Sequence, residues 1–292
     1  MKVQMQCFPC FLNQALIVAS LVSGDRAEEK KLIDLALDPI RDASLDDTPA
    51  HVATRVYRRL RETLNGIDPF KALKMRCTNS ALQMMREFKP VIEKASDPLE
   101  AAIRTSVAGN VIDFGIFSDV DIGPVFRNIM NEQFGVLSLG ALKSDLLKSR
   151  SILFLADNAG ELVFDVPLID HLLRFAPVRV AVKSVPVIND ATMDDAIASE
   201  LPASAETIEN GSDCVGTILE TCSEAFRKAF DEADLIISKG QANFETLDDK
   251  RESNIYFLFK AKCDVTAGMV GVPKNSLVAV SNRHLPLRPQ GG

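Results

Sequence analysis

Residues 152–165 read ILFLADNAGELVFD, and this stretch decides how the second half of the chain folds. A short apolar run ends abruptly in Asp157-Asn158, and Gly160 then precedes Glu161, which opens another apolar stretch. The apolar run predicts a buried strand. An acid and an amide at the tip of such a strand indicate either a turn that caps the next helix or a site that binds a ligand.

The chain from Ser151 onward alternates short apolar or β-branched runs with stretches of helical pattern. This alternation is typical of a mostly parallel sheet with crossover helices. We therefore predict an α/β domain over residues 149–292. Its predicted strands are SILFLA, VRVAVKS, AETIEN, ADLIISK, NIYFLF and SLVAVSN.

The first half of the chain, residues 1–148, predicts a helical domain. Thr48-Pro49, Asp68-Pro69 and Asp97-Pro98 each place a side-chain oxygen at an N-cap and a proline at the first helical position. Each pair predicts the start of a helix. Residues from about 124 to 150 predict two more short helices.

The composition excludes several classes of protein. With 292 residues and 47% hydrophobic content, the chain is long enough to bury a substantial core. A formal net charge of −7 implies no basic surface for nucleic acid. No apolar run approaches the roughly 20 residues that cross a bilayer, so we expect no membrane partner. Six scattered cysteines favour a reducing cytoplasm. The oligomeric state is left open.

Polar clusters follow three of the predicted strands. They are Asp157-Asn158, Asn189-Asp190 and the run from Lys239 to Asn243. Because the carboxyl ends of parallel strands share one edge of a sheet, where ligands bind, we expect the three clusters to meet.

The chemistry of these clusters is complementary. Asp157, Asn158 and Asp190 offer the hard oxygen ligands that magnesium or manganese prefers. Lys239 supplies a positive charge, and Gly240 lets backbone amides approach an anion closely. A metal beside a phosphate site indicates phosphoryl transfer or hydrolysis, with Asp157, Asn158, Asp190 and Lys239 as the catalytic residues.

Each cluster also has a structural interpretation. An Asp-Asn-x-Gly sequence after a strand is more often a turn with an N-cap than a metal site. Asn189-Asp190 could cap a helix that begins near Thr192, and Lys239 could be a solvated loop charge. The shared edge of the predicted sheet favours the functional interpretation.

Cys7-Phe8-Pro9-Cys10 is a second candidate site. A C-x-x-C pair is redox-active in a thioredoxin-like strand-to-helix context, or forms half of a zinc site when a second ligand pair exists. The sequence supplies neither context cleanly. Cys7 and Cys10 are therefore left outside the catalytic set.

Several short motifs together resemble one known family. The combination is similar to the damage-control phosphatases, catalogued earlier as domain of unknown function 89, and closest to their prokaryotic branch, which carries the cysteine pair. The resemblance extends from Cys7 to about Val280. The motifs are the N-terminal C-x-x-C, DPFKALKMRCTNSAL, AGNVIDFG, DNAGE, IND, ADLIISKGQANFETL and KAKCDV.

The resemblance implies a Rossmann-like α/β domain preceded by an N-terminal helical domain. It also implies a divalent-metal phosphatase, using Mg²⁺, Mn²⁺, Co²⁺ or Ni²⁺, that acts on small phosphorylated metabolites such as damaged or side-product sugar phosphates. The family's metal ligands fall on Asp157, Asn158 and Asp190.

The resemblance also implies a substrate site. A further family lysine aligns with Lys262, while Asn110 and Asp113 of AGNVIDFG line or brace the cleft. Eukaryotic relatives carry an acid where this chain has Gln241, so their substrate preference does not transfer. The substrate loop falls on Lys239, Gly240, Gln241, Ala242 and Asn243.

Two other functions remain as alternatives. A Rossmann-like fold with acidic strand ends could bind S-adenosylmethionine as a methyltransferase, although Gly160 alone makes a poor glycine-rich loop. A non-enzymatic protein could bind metal or sense redox state through Cys7 and Cys10.

Overall fold

The computed structural model describes residues 1–64, 67–115 and 122–286, and the side chains of residues 111–126 lie outside what it describes. The strands are β1 Phe134–Leu137, β2 Ile152–Leu155, β3 Val178–Val182, β4 Glu206–Glu209, β5 Leu235–Lys239, β6 Ile255–Lys260 and β7 Leu277–Ser281. The helices are α1 Cys7–Val22, α2 Arg26–Arg41, α3 Pro49–Arg61, α4 Lys71–Glu93, α5 Pro98–Gly115, α6 Ile122–Asn131, α7 Leu139–Leu146, α8 Glu161–Leu172, α9 Met193–Ala198, α10 Glu224–Asp231, α11 Gln241–Leu247 and α12 Asp264–Val270.

The strands form one sheet in the order β1-β7-β6-β5-β2-β3-β4. All neighbouring strands are parallel except β6 and β7, which are antiparallel. The predicted α/β fold with a mostly parallel sheet and a helical N-terminal part is confirmed. All six predicted strands are present, and β1 is an additional strand that the sequence analysis missed between the two short helices α6 and α7.

Two of the three predicted helix starts are confirmed. The side chain of Thr48 accepts the His51 N–H at the start of α3, and Asp97 Oδ1 accepts the Glu100 N–H at the start of α5. At the third, Asp68 Oδ1 accepts the N–H of Phe70, two residues along the chain. This local turn delays the start of α4 to Lys71, two residues later than predicted.

Helices α1 to α4 pack around a buried apolar cluster that includes Phe11, Tyr57 and Phe70. Val187 and Val215, which follow β3 and β4, belong to the same cluster. Both parts of the chain also contribute to the core beside the sheet, because α5 of the helical part packs against α8, which follows β2. The division at residue 149 stays a prediction, since β1 precedes it and pairs with β7.

Among the residues that the structure describes, no helix combines the length and apolar character needed to cross a membrane.

Candidate active site

The site lies where the order of the sheet reverses. From β2 the chain proceeds to β3 and β4 on one side, whereas β5 pairs with the other side of β2 and leads to β6. In an open α/β sheet, the crevice outside the carboxyl ends of two such strands is the usual ligand site. Asp157 follows β2 there, and Gly240 follows β5.

Gly240 and Asp157 are in close contact across this crevice. A Cβ built on Gly240 would lie 1.9 Å from Oδ2 of Asp157. Gly240 also has φ of 77° and ψ of 159°, a region that essentially only glycine adopts. Glycine is therefore required here both by its conformation and by the space that the carboxylate occupies.

Asp190 reaches the same place by backbone pairing. The backbone of Asn158 pairs with that of Asp190 in an isolated antiparallel bridge. The Ala191 N–H donates to the carbonyl of Asp157 at 2.8 Å. The structure thus brings together the three residues that were predicted to bind metal, although they come from two separate loops.

The turn that delivers Asp190 is strained. Ile188 has φ of 48°, which is costly for a β-branched residue. Tyr57 of α3 lies beside it: burial raises the pKa of this phenol to about 12, and a backbone hydrogen bond from Ile188 opposes the rise. Strained residues of this kind cluster at functional sites, and here the helical part of the protein supports the strain.

The protein environment disfavours the charged forms of the two carboxylates of the site, Asp157 and Asp190. Desolvation raises the pKa of Asp157 well above its usual range, and the negative charges of Glu161 and Asp190 raise it further. Desolvation also raises the pKa of Asp190, against the opposing effect of Lys183, whose Nζ lies 3.5 Å from Oδ2. A cation between the two carboxylates would favour their charged forms.

Asn110 brings α5 into the site. Its Nδ2 donates to Oδ2 of Asp157 at 3.0 Å and to Oε2 of Glu161 at 2.9 Å. Its Oδ1 accepts the N–H of Lys260 at 3.4 Å. Asn110 therefore braces the carboxylates, while its predicted contact with substrate stays a prediction. The side chain of Asp113 lies outside the described residues.

Lys239 is buried beneath the site, so the interpretation of this residue as a solvated loop charge is wrong. Its side chain is 0% exposed. Nζ donates to Oε1 of Glu161 at 2.5 Å, to Oδ1 of Asp165 at 2.6 Å and to the carbonyl of Ser106 at 2.9 Å. An ammonium group has three protons. All three are used beneath the site, so none is left for a substrate.

The side chain of Asn243 is also held by the protein. Its Nδ2 donates to the carbonyls of Ala156 at 3.2 Å and Lys239 at 2.8 Å, and its Oδ1 accepts from Thr217 Oγ1 at 2.7 Å. These bonds tie the end of β5 to the end of β2. The side chain of Asn243 therefore has a structural role, while the predicted part of Asn243 in binding substrate stays a prediction.

The rest of the predicted substrate loop leads to Lys262. Gln241 and Ala242, the first residues of α11, are both half-buried. Gln241 Oε1 accepts the N–H of Lys262 at 3.1 Å, and its Nε2 donates to Oε1 of Glu245 at 2.9 Å. The half-buried Lys262 lowers the pKa of Asp157, which places its charge beside the site. Lys262 is therefore a better candidate for phosphate contact than Lys239.

The buried ionic partners of the site were not predicted from the sequence. Glu161 and Asp165 are four residues apart on α8 and 1% and 0% exposed. Lys183 follows β3, and its Nζ donates to the Cys214 and Gly216 carbonyls. The signal was present, since two acids at i and i+4 share a helix face.

The oxygen donors suit a hard divalent cation. Among the residues that the structure describes, no three His, Cys, Asp or Glu side chains form a group that could hold a metal ion. The metal ligands predicted from the sequence are two carboxylates, Asp157 and Asp190, and the side-chain amide of Asn158. Magnesium is usually held by one or two carboxylates, with waters or substrate phosphate as the other ligands, so these residues fit such an ion.

The cysteine pair lies at the first turn of α1. Cys7 is buried, Cys10 is exposed, and both are thiols. Burial is the main cause that raises the pKa of the Cys7 thiol. A raised pKa reduces the reactive thiolate, so this environment gives no support to the redox alternative.

Comparison with known proteins identifies the family. Residues 3–278 match the model of the damage-control phosphatase ARMT1-like domain. An uncharacterized protein of Methanocaldococcus jannaschii is 36% identical over 93% of this chain and 92% of its own length. A damage-control phosphatase of Archaeoglobus fulgidus is 33% identical, and the match covers 96% of this chain and 99% of that protein.

The fold agrees with these matches. A crystal structure of a DUF89 family protein from Pyrococcus horikoshii is similar, with a TM-score of 0.89 and 32% sequence identity. The match covers 97% of this chain and 99% of that one. A curated relative from the same organism, 32% identical over 97% of this chain and 99% of its own, carries the name damage-control phosphatase. The chain belongs to the damage-control phosphatase family with an ARMT1-like domain.

Proposed function

We propose that the protein is a divalent-metal-dependent phosphatase that hydrolyses small phosphorylated metabolites in the cytoplasm. One observation carries the proposal: Asp157, Asn158 and Asp190 meet at the switch point of the sheet, although they come from two loops. The names of two relatives, both damage-control phosphatases, support the same reaction class.

Asp157, Asn158 and Asp190 would hold the divalent ion. When bound, the ion stabilises the negative charge that spreads over the transferring phosphoryl group. The Asp157 carboxylate and an incoming water are both candidates for the group that attacks phosphorus, and the same residues serve either route.

Lys262 supplies a positive charge for the phosphate in this proposal. Its charge acts on Asp157, and Gln241 holds its backbone through the bond to Oε1. Gly240 contributes space, because its missing Cβ lets the end of β5 approach the carboxylate. Lys239 contributes from below, as a fixed countercharge to the acids of α8.

Damaged or side-product sugar phosphates are the proposed substrate class. The similarity to damage-control phosphatases supports this class. Gln241 stands where eukaryotic relatives carry an acid, so the individual sugar is expected to differ from theirs.

Phosphate release from p-nitrophenyl phosphate and a panel of sugar phosphates tests the proposal. The protein is stripped with a chelator and then supplied singly with Mg²⁺, Mn²⁺, Co²⁺ or Ni²⁺. We expect release that depends on the added ion. Release that is the same without any ion would contradict the metal dependence. Calorimetric titration with S-adenosylmethionine tests the methyltransferase alternative, and we expect no heat of binding.

A further inference from the structure

Glu161 links the buried lysine to the predicted metal ligands. Its carboxylate is 1% exposed. Oε1 accepts from Nζ of Lys239, and Oε2 accepts from Nδ2 of both Asn158, at 3.0 Å, and Asn110, at 2.9 Å. One carboxylate oxygen therefore faces the lysine, and the other faces two side-chain amides.

This arrangement fixes the orientation of the Asn158 amide. Its Nδ2 donates to Oε2 of Glu161 and also, at 3.1 Å, to Oδ2 of Asp157. An amide nitrogen has two protons, so both are used. Rotating the amide by half a turn would place its oxygen against two carboxylates, which is unfavourable. Oδ1 is consequently the side-chain atom of Asn158 that can bind a ligand.

The position of Glu161 is in turn fixed from below. Nζ of Lys239 lies between Glu161 and Asp165 of α8, and Ser106 Oγ of α5 donates to Asp165 Oδ1 at 2.6 Å. The two acids and the lysine are each at most 1% exposed. The network is held in this arrangement because breaking either ion pair of Lys239 leaves a buried carboxylate without its cation.

We infer that Glu161 is a positioning residue that sets the amide orientation of Asn158 and so presents Oδ1 to the divalent cation. The inference rests on the proposed function, since it concerns the same ion. Partners that orient metal ligands in this way typically contribute about 10- to 100-fold to metal affinity or activity.

A purely structural role for Glu161 makes a different prediction. In that case, loss of the carboxylate lowers stability, and the identity of residue 158 has no bearing on the effect. Positioning through Asn158 instead predicts that a change at residue 158 compensates for a change at Glu161. The two explanations therefore separate in the double variant.

The test is Mn²⁺ affinity of the chelator-stripped full chain, measured by calorimetry and by electron paramagnetic resonance. Glu161→Gln places an amide donor against the Asn158 amide, and we expect roughly 10-fold weaker binding or more. In Glu161→Gln with Asn158→Asp, the new amide donates to the new carboxylate. We expect Glu161→Gln to weaken Mn²⁺ binding by less than about threefold when it is added to Asn158→Asp, since both of these variants share the carboxylate that faces Asp157 and the new amide donates to that carboxylate.

Asp145→Asn is the matched control. Its carboxylate accepts from the Tyr256 hydroxyl at 2.7 Å and pairs with Arg283, near the start of β6 and away from the site. We expect unchanged Mn²⁺ affinity with lower thermal stability. An affinity loss in this variant equal to that of Glu161→Gln would overturn the inference.

The outcomes separate the inference from the proposed function. No Mn²⁺ binding by the wild type contradicts the proposed metal site itself. Wild-type affinity in Glu161→Gln overturns the positioning role. If adding Glu161→Gln to Asn158→Asp weakens Mn²⁺ binding as much as it does in the wild type, the positioning role is also overturned and Glu161 is left with a structural role.

A second measurement uses the wild-type protein, with no substitution at Glu161 or its partners. Nuclear magnetic resonance of protein labelled with nitrogen-15 at asparagine follows proton exchange at Asn158 Nδ2. We expect slow exchange both before and after Mg²⁺ is added, because both protons are bonded to carboxylates. Fast exchange, or loss of this protection when Mg²⁺ binds, would overturn the inference even if Glu161→Gln fails to fold.

Discussion

Gly240 and Asp157 are packed so closely that a Cβ on Gly240 would lie 1.9 Å from the carboxylate oxygen Oδ2. This contact joins the ends of β5 and β2 at the switch point of the sheet. No side chain fits between them without moving Asp157. The site therefore depends on a glycine that itself carries no chemistry.

Gly240→Ala is expected to lower phosphatase activity at least about 100-fold, because Asp157 must move and the residue enters a region that costs on the order of 1–3 kcal/mol. Gly271→Ala is the matched control. Gly271 also has a positive φ, of 78°, but nothing lies within 4 Å of its Cβ position. Both variants should lose stability, and only Gly240→Ala should lose activity. Equal activity in the two would contradict the close contact.

Lys239→Ala is expected to destabilise the fold by about 3–5 kcal/mol, because it leaves two buried carboxylates without their countercharge. Urea unfolding measures this change. The expectation differs from that for an exposed lysine, whose removal would leave stability nearly unchanged. A midpoint within error of the wild type would contradict the buried ion pairs with Glu161 and Asp165.

Lys262→Ala is expected to lower turnover of the substrate with little effect on stability. Its half-buried side chain contributes a positive charge beside Asp157. We expect kcat/KM to fall roughly 10- to 100-fold, about 1.4–2.7 kcal/mol of transition-state stabilisation, with a small change in melting temperature. Lys274→Ala, at an exposed lysine paired with Asp264, is the control. Parallel losses of activity and stability in Lys262→Ala would indicate a structural lysine.

The buried carboxyl of Glu245 is expected to make the stability of the folded protein depend on pH. Burial raises the pKa of this carboxyl from 4.5 to about 7. The folded protein therefore binds the proton more tightly than the unfolded chain, and stability falls as pH rises from about 4.5 to about 7. Glu245→Gln keeps an acceptor for Gln241 and removes the charge. We expect it to stabilise the protein on the order of 2 kcal/mol more at pH 8 than at pH 5. An equal effect at both pH values would contradict the shift.

The strands after residue 151 were predictable because each is a short apolar run bounded by polar residues. Strand β1 was not, since its four residues, FGVL, are partly exposed and lie between two helices. The helix starts at Thr48 and Asp97 were predictable from local capping chemistry. At Asp68 the same local chemistry made a turn first, which sequence alone does not distinguish from a cap.

The meeting of Asp157 and Asp190 was predictable from the rule that parallel strands end at one edge. The burial of Lys239 could also have been predicted from the sequence, because side chains alternate along a strand and Lys239 falls on the same face as Leu235 and Ile237. The contact of its Nζ with α5 could not be predicted from the sequence. Ser106, for example, is 133 residues away along the chain, and only the packing of α5 on α8 brings it near.

Metal-dependent phosphate release by Asp157→Asn, beside the wild type and Asp145→Asn, tests the central claim most directly. The substitution keeps the volume of the side chain and removes one charged ligand. The account predicts release that requires an added divalent ion in the wild type and in Asp145→Asn, and no release in Asp157→Asn with any ion. Wild-type turnover by Asp157→Asn at saturating metal would contradict the account.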